Sequence, residues 1–295
     1  MICPILNSYA EPVVRSEARK TMAAARIPLT RQALAACKLC AHQCGVNRLG
    51  GERGRCRAGA DARVFSAQIE VGDELELLPT FAIAWSGCDL RCAFCLTHEA
   101  SWNPSIGARL KPEELSVRAT RALATGVRTV MFLGGEPTVH LLAVLETVAR
   151  LPDEAPLVWK TNAHASAQAR ALMAGLFDIW VADYKFGNPD CARRLAGIGN
   201  YETVVRENLL WASDHSDLII RHVLLPGHVE CCWEPMAHWL STHLPDVKVS
   251  LLDSYWPTER LRLPPELHRT IARHEKERAW DIARECHLNL IECNP

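Results

Sequence analysis

The sequence lacks the long apolar runs and the charge excess that mark membrane-spanning and nucleic-acid-binding proteins. No stretch approaches the roughly 18 consecutive apolar residues of a spanning helix, and Glu11 and Arg15 stand where a signal peptide would be apolar. With 33 basic and 34 acidic side chains the net charge is −1, so no global field draws nucleic acid or acidic lipid to the surface. We expect a cytoplasmic protein without membrane or nucleic-acid partners.

Cysteine, in contrast, is abundant. We do not expect the 13 cysteines to form disulfides, because the cytosol is reducing and clustered thiols there commonly bind metals. Seven fall in two groups. The other six lack a ligand spacing and are expected to be small buried apolar residues, although the adjacent pair at 231–232 leaves a substrate contact open: Cys3, Cys191, Cys231, Cys232, Cys286 and Cys293.

Short apolar runs alternate with helical periodicity from about residue 80 onward. This alternation is typical of a parallel α/β arrangement. The six runs that predict buried strands are 81–85, 129–133, 157–160, 179–182, 218–225 and 248–252. The expected parts of the chain are an N-terminal arm (1–36), a cysteine-rich metal-binding segment (37–79), the α/β unit (80–260) and a C-terminal helix over 264–286 with its tail (261–295).

Cys88, Cys92 and Cys95 lie in the loop that follows the first predicted strand. A [4Fe–4S] cluster normally takes four thiolates, so three without an adjacent fourth leave one iron open to a ligand. An open iron implies chemistry rather than electron storage. A structural zinc ion or plain buried thiols are the alternatives on spacing alone, but barrel folds build their sites at the carboxyl ends of strands, which favours the cluster.

Cys37, Cys40, Cys44 and Cys56 form a second candidate metal site with a full set of four ligands. Four thiolates suit either a zinc ion or a closed iron–sulfur cluster. The spacing does not separate these two interpretations, and free thiols remain a third. A closed cluster would serve as an electron relay or a structural element.

Glycine and polar residues end the next predicted strands. Gly134 and Gly135 free the backbone to approach a ligand, and Glu136 supplies a carboxylate for a cationic amino group. A tight turn in which Pro137 begins a helix is the alternative. Further strand ends carry groups that suit ribose, a carboxylate or a bound monovalent cation, or that simply cap helices; they are Thr161, Asn162, Asp183 and Lys185.

Taken together, these segments resemble the radical S-adenosylmethionine superfamily, in particular the branch around the pyruvate formate-lyase activating enzyme that has an N-terminal cysteine segment. The resemblance covers roughly residues 37–260 and implies a partial (β/α)6 TIM-like barrel of the α/β class. It rests on the cysteine triplet, the Gly-Gly-Glu-Pro-Thr run at 134–138, Thr-Asn at 161–162, Asp-Tyr-Lys at 183–185 and the run at 221–227.

The resemblance also implies cofactors and a reaction. The open iron would chelate S-adenosylmethionine, and the reduced cluster would cleave it to a 5′-deoxyadenosyl radical that abstracts hydrogen from a substrate. A flavodoxin or ferredoxin type of protein would donate the electron. The residues expected to contact the cofactors are Phe94, Gly134, Gly135, Glu136, Pro137, Thr161, Asn162, Asp183, Lys185 and Arg221.

Three residues are candidates for the substrate side. His98 and Glu99 follow the triplet where relatives usually carry a Gln-Asn pair, which leaves the substrate class open. His222 is the third, although side chains alternate along a strand and we expect its neighbour Arg221 to face the interior, paired with a carboxylate.

Three functions follow from these expectations. The first is hydrogen abstraction from a glycine of a partner enzyme, as an activase does. The second is modification of a small molecule or peptide, with an auxiliary cluster at the N-terminal cysteines. The third is a non-catalytic electron-transfer or scaffold protein with iron–sulfur or zinc, which the run at 134–138 argues against.

Overall fold

The computed structural model of the chain describes residues 17–72, 74–258 and 263–291. The described strands are β1 (Val64–Glu70), β2 (Thr80–Trp85), β3 (Thr129–Gly134), β4 (Leu157–Thr161), β5 (Ile179–Asp183), β6 (Asp217–Val223), β7 (Lys248–Leu252) and β8 (Asn289–Leu290). The described helices are α1 (Arg19–Ala33), α2 (His98–Trp102), α3 (Pro112–Ala124), α4 (Leu141–Val148), α5 (Ala167–Met173), α6 (Pro189–Ala196), α7 (Tyr201–Ser213), α8 (Glu234–His243) and α9 (Arg273–Glu285). Cys3, Cys293 and much of the predicted arm lie outside the described residues.

The strands form one open sheet in the order β1 to β8. From β2 to β8 each strand runs parallel to its neighbour, and β1 pairs antiparallel with β2. The six predicted strands are confirmed as β2 to β7, with ends that differ by at most two residues. Helices connect these strands, so the predicted α/β class with a parallel sheet is confirmed.

The sheet extends beyond the predicted α/β unit at both ends. β1 lies in the segment assigned to metal binding, and its half-exposed residues lack the continuous apolar run that marks a buried strand. β8 contains only two residues. The expected helix over 264–286 is confirmed only for Arg273–Glu285 (α9), because extended backbone around Arg269 and Ala272 separates α9 from a short 3₁₀ turn. Glu275 stabilises this break by accepting hydrogen bonds from the Ala272 amide and the Arg269 guanidinium.

Helix α1, within the expected N-terminal arm, packs against α4 of the α/β unit. Its Arg19 side chain is buried and donates two hydrogen bonds of 2.8 Å to the carboxylate of Asp178, just before β5. The same carboxylate accepts the amide of Leu157 at the start of β4. Removing Asp178 would leave the buried guanidinium of Arg19 without this charge partner, which destabilises the folded protein. None of the described helices is both long and apolar enough to cross a membrane.

Candidate active site

A cavity of about 480 Å³ lies at the carboxyl ends of the parallel strands. Loops after successive strands contribute to it, as expected for an α/β sheet. Most of the site residues predicted from the sequence line this cavity. They are Cys88, Cys92, Phe94, Cys95, Gly134, Gly135, Thr161, Asn162, Asp183, Lys185 and Arg221. Residues far apart in the sequence therefore converge on a single space.

The cysteine triplet forms one side of the cavity. Cys88 and Cys92 are buried, and Cys95 is half-buried. The Leu90 amide donates to the sulfur of Cys88 at 3.4 Å, and the Asn162 amide group lies 3.7 Å from the same sulfur. Burial raises the pKa of the Cys92 thiol to about 12 and that of Cys88 well above its usual range. A bound cation would offset this cost of deprotonation, so the donor set fits an iron site.

The separation of the triplet sulfurs bears on which metal group fits. Two thiolates on one zinc ion can lie no more than about 4.6 Å apart, since each Zn–S bond is about 2.3 Å. Among the described residues, the three sulfurs of Cys88, Cys92 and Cys95 do not form a group within 4.8 Å of one another. The three thiols therefore do not form the compact ligand set of a single zinc ion.

Two glycines allow the loops around the triplet to touch. Gly134 has a φ of +140°, and a Cβ there would lie 2.2 Å from the carbonyl oxygen of Trp85. A Cβ on Gly135 would lie 2.3 Å from the carbonyl oxygen of Gly87, which begins the triplet loop. Only glycine fits these positions. The backbone of the 134–135 turn consequently packs directly against the loop that carries the cysteines.

Glu136 does not line the cavity, contrary to its expected contact with a ligand amino group. Its buried carboxylate accepts four hydrogen bonds, from the amide and hydroxyl of Thr138, the hydroxyl of Thr161 and the amide of Asn162. The carboxylate therefore joins the loops after β3 and β4. Burial, together with the nearby charge of Asp89, raises the pKa of Glu136 to about 7. Pro137 is also buried outside the cavity lining and begins a 3₁₀ turn.

A buried network that the sequence did not indicate holds the triplet loop. The carboxylate of Asp89 lies 2.7 Å from the His164 ring and accepts a hydrogen bond of 2.8 Å from Asn162. Burial alone would raise the pKa of Asp89, but the His164 and Asn162 contacts hold it below its ordinary value. His42, from the cysteine-rich segment, lies 3.1 Å from the Asp89 carbonyl oxygen. Three segments thus meet at one residue.

Charged side chains also border the cavity. Lys185 donates to the Asp183 carboxylate at 2.6 Å. Arg221 faces the cavity, with its Nε atom 3.8 Å from Asp183 and 3.7 Å from the buried carboxylate of Glu74. The Glu74 carboxylate also lies 3.3 Å from the Lys160 ammonium group. Glu74 precedes β2 in an irregular segment, and nothing in its sequence context indicated this role.

The proposed substrate-side residues do not line the cavity. His222, expected on the substrate side, instead lies on the opposite face of β6. Its ring stacks on Trp233, and its Nδ1 atom lies 2.7 Å from the Tyr184 carbonyl oxygen. His98 packs its ring on Trp102, and neither it nor Glu99 is a lining residue. The sequence interpretation missed several cavity residues near the triplet and after β7, among them Leu96, Trp102, Tyr255 and Trp256.

The N-terminal cysteines lie near one another but not around a single ion. Cys37 forms a β-bridge with Val46, and Cys40 forms one with Ala165, which attaches this segment to the loop after β4. The charges of neighbouring thiols contribute to a raised pKa of Cys40 after the larger effect of burial. Within the described chain, no three of Cys37, Cys40, Cys44 and Cys56 lie within 4.8 Å of one another. The choice among a zinc ion, a closed iron–sulfur cluster and free thiols stays a prediction for these four cysteines.

Known proteins similar to this chain include enzymes and an uncharacterized protein. A protein of Methanocaldococcus jannaschii described as uncharacterized is 30% identical over 272 residues, which cover 90% of this chain and 79% of that protein. A GTP 3′,8-cyclase of Pseudomonas savastanoi pv. phaseolicola is 31% identical over 124 residues, or 40% of this chain and 36% of the cyclase.

Solved structures show the same fold at low identity. SuiB of Streptococcus suis, bound to the precursor peptide SuiA, superposes with a TM-score of 0.52 at 18% identity over 69% of this chain and 46% of SuiB. The chain thus spans about half the length of SuiB. A radical SAM methyltransferase from Sphaerobacter thermophilus superposes with a TM-score of 0.52 at 15% identity over 71% of this chain and 64% of the methyltransferase.

The family follows from the sequence match. Residues 83–240, more than half of the chain, match the model of the Radical SAM superfamily. This range begins within β2 and contains the triplet, the 134–138 run and all the strand ends that line the cavity up to β6. The protein belongs to the radical SAM superfamily and is an enzyme whose cofactors are a [4Fe–4S] cluster and S-adenosylmethionine.

Proposed function

We propose that Cys88, Cys92 and Cys95 ligate an open-site [4Fe–4S] cluster and that the adjoining cavity binds S-adenosylmethionine for reductive cleavage and hydrogen abstraction. The observation that carries this proposal is the single cavity, which the triplet shares with the strand-end residues. The open fourth iron distinguishes such a site from an electron carrier, whose cluster is closed by four protein ligands.

The cluster, when bound, supplies the electron that breaks the carbon–sulfur bond of S-adenosylmethionine. The side chains and backbone of the protein position the cofactors and supply charged groups around them. Asn162 and the Leu90 amide direct hydrogens at the Cys88 sulfur, which stabilises its thiolate. The Gly134–Gly135 backbone borders the cavity and packs against the backbone of Trp85 and Gly87, where a Cβ would clash. Lys185 offers a cation to the carboxylate of the methionine moiety.

The N-terminal cysteine segment fits an auxiliary cluster that passes electrons inward. This segment contacts the triplet network through His42 and through the Ala41 amide, which donates to the His164 carbonyl oxygen at 2.9 Å. His164 in turn holds Asp89, next to Cys88. A closed cluster at Cys37, Cys40, Cys44 and Cys56 would therefore lie beside the catalytic loop, where a flavodoxin or ferredoxin type of donor could reduce it.

A polypeptide is the substrate class that the cavity mouth supports best. Two large apolar side chains that line it are open to solvent, Leu96 at 75% and Trp256 at 69% exposure. Contiguous exposed apolar patches, unlike singly scattered apolar residues, mark contacts with another chain, and a polypeptide lying across this rim would cover both side chains. The solved relative SuiB was crystallised with a precursor peptide. An activase-like role toward a glycine of a partner enzyme falls within this class.

Replacement of Cys88 tests the cluster assignment. Anaerobically reconstituted protein with dithionite and S-adenosylmethionine should release 5′-deoxyadenosine, measured by liquid chromatography. Cys88→Ala should lower the yield more than about 100-fold, since loss of even an outer-shell partner costs 10–100-fold. Cys286→Ala is the matched control, because this buried thiol lies at the end of α9, outside the cavity, and should preserve the yield. No product from wild type with a full cluster would contradict the proposal.

Glu136 should impose a pH dependence on cleavage. Because its pKa is raised to about 7, lowering the pH through 7 protonates the carboxylate and removes an acceptor that joins the loops after β3 and β4. The rate of 5′-deoxyadenosine formation should therefore fall below pH 7. The Glu136→Gln variant should form 5′-deoxyadenosine about tenfold more slowly, because a tenfold rate change corresponds to the free energy of about one hydrogen bond to a charged group. The variant should also lack this pH step. Glu114→Gln, on the exposed face of α3, should retain the wild-type profile. A wild-type rate and profile for Glu136→Gln would contradict the assigned role.

Deuterium transfer identifies the substrate class. Protein and small-molecule fractions from deuterium-labelled cells that make this enzyme should be supplied separately to the reconstituted protein. We expect deuterium in 5′-deoxyadenosine only with the protein fraction, because the radical takes hydrogen from a polypeptide. Mass spectrometry measures the label, with Cys88→Ala as the control for background exchange. Transfer solely from the small-molecule fraction would show that the polypeptide proposal is wrong.

A further inference from the structure

Three cysteines that the sequence interpretation treated as unrelated meet one histidine beside the sheet. The Nδ1 atom of His228 lies 3.4 Å from the sulfur of Cys191, 3.3 Å from that of Cys231 and 3.7 Å from that of Cys232. The sulfur of Cys231 lies 3.7 Å from that of Cys191 and 3.9 Å from that of Cys232. All four ligand atoms fall within 4.8 Å of one another.

These separations match the edges of a tetrahedron around one metal ion. A zinc ion with Zn–S bonds of about 2.3 Å and a Zn–N bond of about 2.0–2.1 Å places its sulfurs about 3.8 Å apart and each sulfur about 3.5 Å from the nitrogen. We infer that Cys191, His228, Cys231 and Cys232 form a structural zinc site with a closed Cys₃His ligand set. Each thiolate of a [4Fe–4S] cluster binds a different iron, so such a cluster needs its thiols further apart.

The fold builds this site from two loops on the carboxyl side of the sheet. Cys191 lies in the first turn of α6, after β5. The other three ligands follow β6, where a π-helical turn (Val229–Trp233) directs both the Cys232 and Trp233 amides to the carbonyl oxygen of His228. Gly187 lets the loops touch, since a Cβ there would lie 2.0 Å from the Cys232 carbonyl oxygen. π-Helical turns are rare and frequently occur at functional sites.

The surroundings of the four groups suit a metal with deprotonated thiols. Cys191, Cys232 and His228 are buried, whereas Cys231 is exposed. The side-chain amide of Asn188 donates to the sulfur of Cys191 at 3.3 Å and lies 3.8 Å from that of Cys232. Such donors stabilise metal-bound thiolates.

The far nitrogen of the histidine faces a carboxylate. The Nε2 atom of His228 lies 3.7 Å from the Glu266 carboxylate and 3.3 Å from the Arg194 guanidinium, and these two side chains pair with each other. A carboxylate facing the second nitrogen of a metal-bound histidine is a common supporting contact. Three thiolates, one neutral imidazole and Zn²⁺ leave one negative charge, and Arg194 lies beside it.

The zinc would brace the catalytic loop without entering the cavity. None of the four ligands lines that cavity. Helix α6 nevertheless contacts the triplet loop, because the Ala93 amide donates to the Leu195 carbonyl oxygen at 2.7 Å. Phe94 also packs edge-on against Phe186, with ring centres 5.9 Å apart. The zinc ion would therefore hold α6 against the loop between β6 and α8. Because α6 contacts the triplet loop, this would also fix one side of that loop.

Metal analysis of the full chain tests the zinc site. Wild-type protein purified without oxygen should contain about one zinc ion per chain at this site, measured by mass spectrometry of the metals. Cys231→Ser should contain about one zinc fewer, and its exposed position limits harm to folding. Cys286→Ser and the N-terminal variant Cys44→Ser should retain this zinc. Absence of zinc from wild type, or loss of zinc only in Cys44→Ser, would overturn the proposal.

X-ray absorption at the zinc edge provides a measurement that needs no variant. Wild type should show three sulfurs at about 2.3 Å and one nitrogen at about 2.0 Å. A zinc ion with four sulfur ligands would contradict the assignment. Protein that contains iron but no zinc would contradict it as well. The zinc content does not depend on cleavage of S-adenosylmethionine, so this proposal and the proposed function can fail separately.

Discussion

The buried carboxylate of Asp89 is the contact on which the catalytic region depends. A buried charge is tolerated only when it is paired and hydrogen-bonded, and here the partners come from elsewhere in the chain. Asn162 and His164 follow β4, and His42 contacts the backbone of the same residue from the cysteine-rich segment. Because Asp89 is adjacent to Cys88, satisfying this one charge also fixes the first thiol of the triplet.

The triplet loop is held from two sides. On one side Asp89 and the Gly134–Gly135 turn attach it to the ends of β3 and β4. On the other side the Ala93 amide attaches it to α6, whose first turn carries Cys191 of the inferred zinc site. A radical enzyme requires a rigid site that excludes water, and support from both directions would provide that rigidity. One fold hosts many reactions, so these supports do not by themselves identify the substrate.

The sequence predicted what depends on local pattern. Continuous apolar runs marked β2 to β7, and the spacing of Cys88, Cys92 and Cys95 marked the cavity that they line. Long-range contacts were not predictable in this way. The carboxylate of Glu136 was expected to face a ligand, but hydroxyls and amides from two loops surround it.

The ligands of the inferred zinc site show the same limit. Cys191 lies 37 positions before His228 in the sequence, so no spacing motif connects Cys191 with the other ligands. Their one local signal was the adjacent Cys231–Cys232 pair shortly after a histidine.

Direct binding of S-adenosylmethionine to the cluster is the central claim, and electron–nuclear double resonance measures it. The reduced protein should be mixed with S-adenosylmethionine that carries ¹⁵N in its amino group. We predict a hyperfine coupling between this nitrogen and the cluster, because the iron without a cysteine ligand is open to the amino group. A reduced cluster that binds the labelled molecule elsewhere, with no such coupling, would contradict the account.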